Sequence, residues 1–352
     1  LRIIKVMLMS ILSLVIVTTS AFTPMPIAMA ADSIFYVSSI GNDENEGTEE
    51  APFLTMNRAL TEITGSGKIV LLSNLSLNDV WTVAASGKTV TITSEEGNRY
   101  SILRGEEFKN RDLIRVPNGN ITFENVDIDG NHVATNQAIY GMQVTGGKVM
   151  LKNVEVRNHY VTTGGSSTAS VIAALGGTVV IQDGTRIHHN RITGKLANNP
   201  PSLLGAGSGG VVEIQDGIIT ENEISADGNG VIVGIGLSGK PRFIMTGGQI
   251  TGNILSGNGI DADGQTIGNV AVYMRGSAAD ARFDFGGTAY VYDNLNTEGE
   301  QRNVYLKNTS ATGSAYLTLV NPLQTGAKVG VYANIMPDDV TNPVVDIAIG
   351  GG

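Results

Sequence analysis

The sequence predicts an all-β fold, a single-stranded right-handed parallel β-helix: a solenoid of about eleven coils with a short N-terminal capping helix. Three observations predict it. The 352 residues include 45 glycines, while 5% are aromatic and 16% charged, a composition of many turns and little helix. From residue 120 onward the turns recur at a regular interval. None of the recurring stretches shows the 3.6-residue apolar period of an amphipathic helix.

The repeat is visible in the residues themselves. ITFENVDIDGN (121–131) is followed by LKNVEVRNH (151–159), IQDGTRIHHN (181–190), IQDGIITEN (214–222), MTGGQITGN (245–253) and, less regularly, FGGTAYVYDN (285–294). Each copy reads as a strand, a corner of Asn, Asp or Gly, a second strand, and a closing turn. The closing polar residues are 28, 31, 32, 31 and 41 residues apart, about one coil each. Stacked coils turn equivalent positions into columns. One column is Ile128, Val156, Ile187, Ile219, Ile250 and Val291, β-branched throughout as a buried strand prefers. The closing column is Asn131, His159, Asn190, Asn222, Asn253 and Asn294. Stacked amides hydrogen-bond along the axis, and asparagine tolerates the left-handed backbone of a sharp corner, so this column is expected to serve the fold.

Before the repeats, KIVLL (68–72), KTVTIT (88–93) and DLIRV (112–116) read as strands of the first coils. Thr55 is placed to cap a short helix whose Met56, Ala59, Leu60 and Ile63 share one face, a cover for the open end of the core. After the repeats, residues 303–306, 315–320, 328–332 and 344–349 read as further strands, with no linker between. The expected organisation is a signal peptide at 1–30 and one β-helix domain at 31–352, divided into a cap (31–67), coils (68–295) and C-terminal strands (296–352).

The expectation of export rests on Arg2 and Lys5 preceding an uncharged apolar run from Val6 to Val17, then Ala28-Met29-Ala30 as a cleavage site. That run is too short to span a bilayer, so no membrane insertion is expected. The absence of cysteine suits an exported chain held by one large core rather than by disulfides. With 33 acidic against 23 basic side chains the net charge is −10, which repels nucleic acid and anionic membranes. An acidic polysaccharide would need a local basic patch or a bridging calcium. A monomer, secreted or at the cell surface, is expected.

The stretch YVSSIGNDENEGT (36–48) with APFLT (51–55) resembles the opening of many secreted proteins of the pectate-lyase-like β-helix superfamily. NGNITFENVDIDGN (118–131) and TGGQITGN (246–253) are similar to the repetitive β-helix surface proteins exported by Gram-positive bacteria. The resemblance covers about residues 35–335 and implies a carbohydrate-rich extracellular setting. The superfamily includes lyases and glycosidases, and fold alone does not transfer their activities. Related lyases use Lys or Arg as the base, with calcium on aspartates of neighbouring coils.

One face matches that chemistry. Asp127 and Asp129 flank inward Ile128 and are expected to point outward, as are Glu155 and Arg157 around Val156, and Arg186 and His188 around Ile187. Stacking brings Asp129, Arg157 and His188 within about 10 Å. Arg157 and His188 are thereby the candidate catalytic residues, Arg186 and Tyr292 the candidate substrate-binding residues, and Asp127 and Asp129 the candidate calcium ligands. Lys195 and Arg191 follow in the next segment. Tyr290 and Tyr292 offer rings on which a sugar could stack. All four histidines (His132, His159, His188 and His189) fall within two coils, a concentration that suits zinc or proton transfer but also follows from equally spaced turns. The acidic loops 43–47 and 261–264 lack the full ligand run of a calcium loop. A solvated face of paired charges explains the same residues without chemistry. The preferred reading is a polysaccharide-recognition surface without catalysis; the alternative is a calcium-assisted lyase acting by β-elimination on a uronate-containing glycan.

Overall fold

The computed structural model describes residues 33–135, 139–163, 170–195, 201–227, 230–235, 239–257, 269–275, 282–307, 317–333 and 348–350. The proposed signal peptide and the acidic loop 261–264 lie outside the described residues, as does the side chain of Lys195. No helix among the described residues is long and apolar enough to cross a membrane.

The chain winds as a parallel β-helix, right-handed as crossovers between parallel strands overwhelmingly are. Its strands form sheets of eighteen, nine and five members, and the ladders between them are parallel. The eighteen-strand sheet is two stacks joined by two long strands, Trp81–Ser94 and Ile114–Glu124, which run from one face of the solenoid into the next. The nine-strand sheet runs from Leu75–Leu77 to Lys328–Val329. Its eight coil-to-coil steps make a solenoid of about eight turns rather than about eleven. The length-based expectation overcounts because the first and last strands, Ser33–Val37 and Ala348–Gly350, extend only the eighteen-strand sheet.

The β-branched column is in register strand by strand, continues upward to Ile102 and downward to Val329, and from Ile102 to Val291 its members are at most 1% exposed. A second column, Val90, Ile121, Val149, Val179, Val212, Phe243, Phe283 and Leu317, faces it across the core. Alternation on a strand aims every second side chain at the axis, so a β-helix needs one apolar residue per strand per column and little else.

The asparagine column forms, with three corrections. Nδ2 of Asn190, Asn222 and Asn253 donates to the side-chain oxygen of the next coil's asparagine at 2.7–2.9 Å, and Asn294 Nδ2 donates at 3.0 Å to Asn303, nine residues further along the chain, which the repeat pattern omits. At the other end Asn131 is outside the ladder: Ala134 pairs with Tyr160, which sets Val133 beside His159. The extra corner residues of that coil displace Asn131, whose Nδ2 donates to the Arg104 carbonyl. Nor do the ladder asparagines adopt the left-handed backbone. The preceding residues do, at His189 (φ 53°), Glu221 (φ 56°), Gly252 (φ 65°) and Asp293 (φ 56°), and the asparagines are left free to turn inward.

The segment 31–67 is more than a cap, because Ser33–Val37 pairs in parallel with Ser66–Leu71 and belongs to the solenoid. The helix is Met56–Glu62, with Met56, Ala59 and Leu60 buried over the core and Ile63 fully buried just after it. Thr55 Oγ1 accepts from the Arg58 amide at 3.2 Å and donates to Asp43 Oδ2 at 2.8 Å. Asp43 Oδ1 in turn accepts from the amides of Leu54 and Thr55. The acidic loop 43–47 is therefore an anchor for the helix start. Thr55→Ala is expected to cost about 1 kcal/mol, measured as a shift of the urea midpoint; an unchanged midpoint would show that Asp43 alone holds the helix.

Candidate functional site

The outward residues of the nine-strand sheet form two columns. One runs Ser101, Asp127, Glu155, Arg186, Ile218, Gln249, Tyr290 and Lys328. The other includes Asp129, Arg157, His188 and Thr220, with Tyr292 further along the same face. All six site residues proposed from the sequence are thus brought to one face. Six steps from Asp127 to Lys328 at about 4.8 Å each make it about 29 Å long.

The charged end is a closed network. Arg157 Nε lies 2.9 Å from Asp129 Oδ2, its Nη2 3.2 Å from Asp127 Oδ2, and its Nη1 2.9 Å from Glu155 Oε2. Asp127 Oδ1 also accepts from Arg99 Nε at 2.6 Å, and Asp129 from the Asn131 amide and Asn158 Nδ2. The two aspartates do lie on the outward side of the sheet, but the guanidinium groups roof them over, so they are 4% and 5% exposed rather than presented to solvent. Burial raises the Asp127 carboxyl against the pull of Arg99 and Arg157. A calcium ion there would have to displace both arginines. For Arg157, burial acts to lower its pKa, but the Asp129 hydrogen bond and the surrounding carboxylates prevail and raise it. A guanidinium so held keeps its protons and cannot serve as a base in this state.

His188 is mostly buried, and desolvation lowers its pKa against the opposing effect of Glu155, whose Oε2 lies 3.5 Å from Nε2. Its Nδ1 is 2.6 Å from His189 Nδ1. Arg186 reaches Glu221 Oε2 at 3.4 Å. Arg191 points from the five-strand sheet to Glu223 at 3.3 Å, around the corner from this network.

Beyond the charges the face opens into a groove of about 480 Å³ lined by Arg186, Ile218, Gln249, Thr288 and Tyr290, with Gly184, Gly217 and Gly248 along one wall. Those three glycines have φ of 72°, 98° and 74° and mark the same corner on successive coils. A Cβ on Gly248 would sit 2.8 Å from the Gly217 carbonyl oxygen, so the wall is bare backbone by steric necessity. Tyr290 lines the groove and Tyr292 does not; the Lys328 ammonium rests 3.2 Å from the centre of the Tyr292 ring and covers one of its faces.

No protein-family model matches the chain, and no curated protein does. Solved structures do. A rhamnogalacturonan lyase is similar at 11% identity and a TM-score of 0.41, over 85% of this chain and 84% of that one. Pectate lyase Pel9A is similar at 16% identity and 0.36, over 86% and 82%. The GH136 lacto-N-biosidase from Eubacterium ramulus follows at 10% identity and 0.30, over 86% and 67%. The likeness is one of winding. At these values it assigns no residue a role, and the chemistry rests on the face itself.

Sequence reasoning missed Arg99, Asn158, Ile218, Gln249 and Lys328 as members of this face. The column rule that found Arg186 would have found Ile218 and Gln249 by extension. Arg99 and Asn158 come from turns, to which no strand alternation applies.

Proposed function

We propose that this chain is a secreted or cell-envelope protein that binds an extracellular polysaccharide along the outward face of its nine-strand sheet. The observation that carries the reading is continuity: one ladder runs from Arg186 through Ile218 and Gln249 to Tyr290 and floors a single groove. A linear glycan suits such a floor, because it presents apolar ring faces and hydroxyl edges in alternation. Tyr290 offers a ring, Gln249 and Arg186 offer donors, and the glycine wall admits close approach. Recognition is favoured over β-elimination because Arg157 is occupied by three carboxylates and the two aspartates by two guanidinium groups.

The test is binding to polygalacturonate, alginate, glycosaminoglycans and neutral glycans, each with calcium and with chelator, while ultraviolet absorbance of unsaturated uronate is followed in the same mixtures. Saturable binding without absorbance growth is expected, weakened about tenfold by Tyr290→Ala, a loss of about 1.4 kcal/mol. Calcium-dependent absorbance growth would replace recognition by a lyase. Binding to none of them by folded protein would leave the face without this role.

A further inference from the structure

The nine-strand face ends, on its five-strand side, at a corner where two residues of left-handed backbone stack on adjacent coils. These are His189 and Glu221, whose backbones are tied by the His189 amide donating to the Glu221 carbonyl at 3.1 Å. Their side chains and that of His188 each offer one ligand atom, all within 4.8 Å of one another; the two Nδ1 atoms are 2.6 Å apart and His189 Nδ1 is 3.8 Å from Glu221 Oε2. From this geometry we infer that His188, His189 and Glu221 form a surface site for a divalent transition metal of the zinc class. The inference goes beyond glycan recognition and does not depend on it.

Three features of the corner support the assignment. The donor set is two imidazoles and one carboxylate, which suits zinc; calcium prefers oxygen ligands alone. The second is orientation. His188 Nε2 lies 3.5 Å from Glu155 Oε2, outside hydrogen-bond geometry but near enough for that carboxylate's charge to favour a proton on Nε2; the Nδ1 lone pair then faces His189 Nδ1, 2.6 Å away. A carboxylate behind the remote nitrogen is how metal-binding histidines are commonly oriented. The third is access. The side chains of His189 and Glu221 are 60% and 52% exposed, against 11% for His188, so one ligand is fixed and two can adjust to the ion while water completes the shell.

The adjustment is small. Two nitrogens on one tetrahedral zinc stand about 3.3 Å apart for bonds of about 2.0–2.1 Å, and here they are 2.6 Å apart. His189 Nδ1 already lies 3.8 Å from Glu221 Oε2. One group works against the ion: Arg186 Nη2, at 3.4 Å from the same carboxylate oxygen, must swing away. It is half-exposed and has the groove to swing into.

Titrating the whole chain with Zn²⁺ against a colorimetric chelator tests this. One ion per chain is expected, weakened at least tenfold by His189→Ala and by Glu221→Gln, and unchanged by His132→Ala, which alters a histidine outside the cluster. Glu155→Gln, which spares all three ligands, should weaken it about tenfold by freeing the His188 tautomer. Millimolar Ca²⁺ should not compete. No binding below about 0.1 mM Zn²⁺, an unchanged affinity in folded His189→Ala, or displacement by calcium would each overturn the site.

Discussion

Asn222→Ala is expected to destabilise the solenoid by about 2–4 kcal/mol, through two or more buried polar groups left unpaired at about 1–3 kcal/mol each. Asn222 is 1% exposed. Its Nδ2 donates to the Ile187 and Thr220 carbonyls, each at 2.9 Å, and to Asn253 Oδ1, while its Oδ1 accepts from both the amide and the side chain of Asn190. Alanine removes the side-chain partner that Asn222 gives the Asn190 amide and the Ile187 and Thr220 carbonyls, in a place water barely reaches. The matched comparison is Gln182→Ala: Gln182 Nε2 donates to Gln215 Oε1 one coil on at 2.9 Å, an amide ladder of the same form but exposed. Solvent replaces that bond, so a loss under about 0.5 kcal/mol is expected. Denaturant midpoints of the two variants decide the matter; equal shifts would mean that amide stacking itself, and not burial, supplies the stability.

What the sequence shows plainly is whatever recurs once per coil. Ile128, Val156, Ile187, Ile219, Ile250 and Val291 are legible because an axial core constrains every coil identically. Asn190, Asn222, Asn253 and Asn294 are legible for the same reason. Asn131 misleads because an asparagine also suits a corner, and only the pairing of Ala134 with Tyr160 reveals that its coil has extra residues there. The eight-turn count is hidden because strand-like stretches at both ends extend one sheet without completing coils.

The candidate site is half legible. Alternation correctly puts Asp127, Asp129, Arg157, Arg186 and His188 on one outward face. What alternation cannot give is whether an outward side chain meets water. Asp127 and Asp129 are outward and buried, because Arg99 arrives from a turn and Arg157 lies across both carboxylates. Likewise Tyr290 and Tyr292 are equivalent in the sequence, yet Lys328 on the following coil covers one ring and leaves the other in the groove. Such differences are set by side-chain reach between coils, which spacing does not encode.

His159 stands where the ladder would have another asparagine, and it is expected to make the protein acid-sensitive. Its amide donates to Asn190 Oδ1 at 3.0 Å, its ring bonds the Ile128 carbonyl, and its Nε2 is buried without a partner. Desolvation, reinforced by the buried Arg104 guanidinium and opposed by Asp129, lowers its pKa to about 4 from an ordinary 6.5. The fold therefore holds His159 neutral, whereas the unfolded chain takes up a proton below about pH 6.5. Stability from this group is complete above that pH, falls as pH drops towards about 4, and levels off once the folded state also binds the proton; the whole window amounts to about 3 kcal/mol. Other carboxylates titrate in the lower part of the window, so the measurement is a difference: urea midpoints of the wild type and of His159→Asn from pH 7.5 to pH 4. Asparagine restores the ladder's amide and carries no titrating group. The variant is expected to lose some packing against Gly141 at neutral pH, where the ring's Cε1 and Nδ1 would meet a Cβ at 2.8 Å, and then to overtake the wild type as the pH falls. Parallel curves would show that His159 takes up its proton at the same pH in the folded and the unfolded chain, and that burial does not depress its pKa.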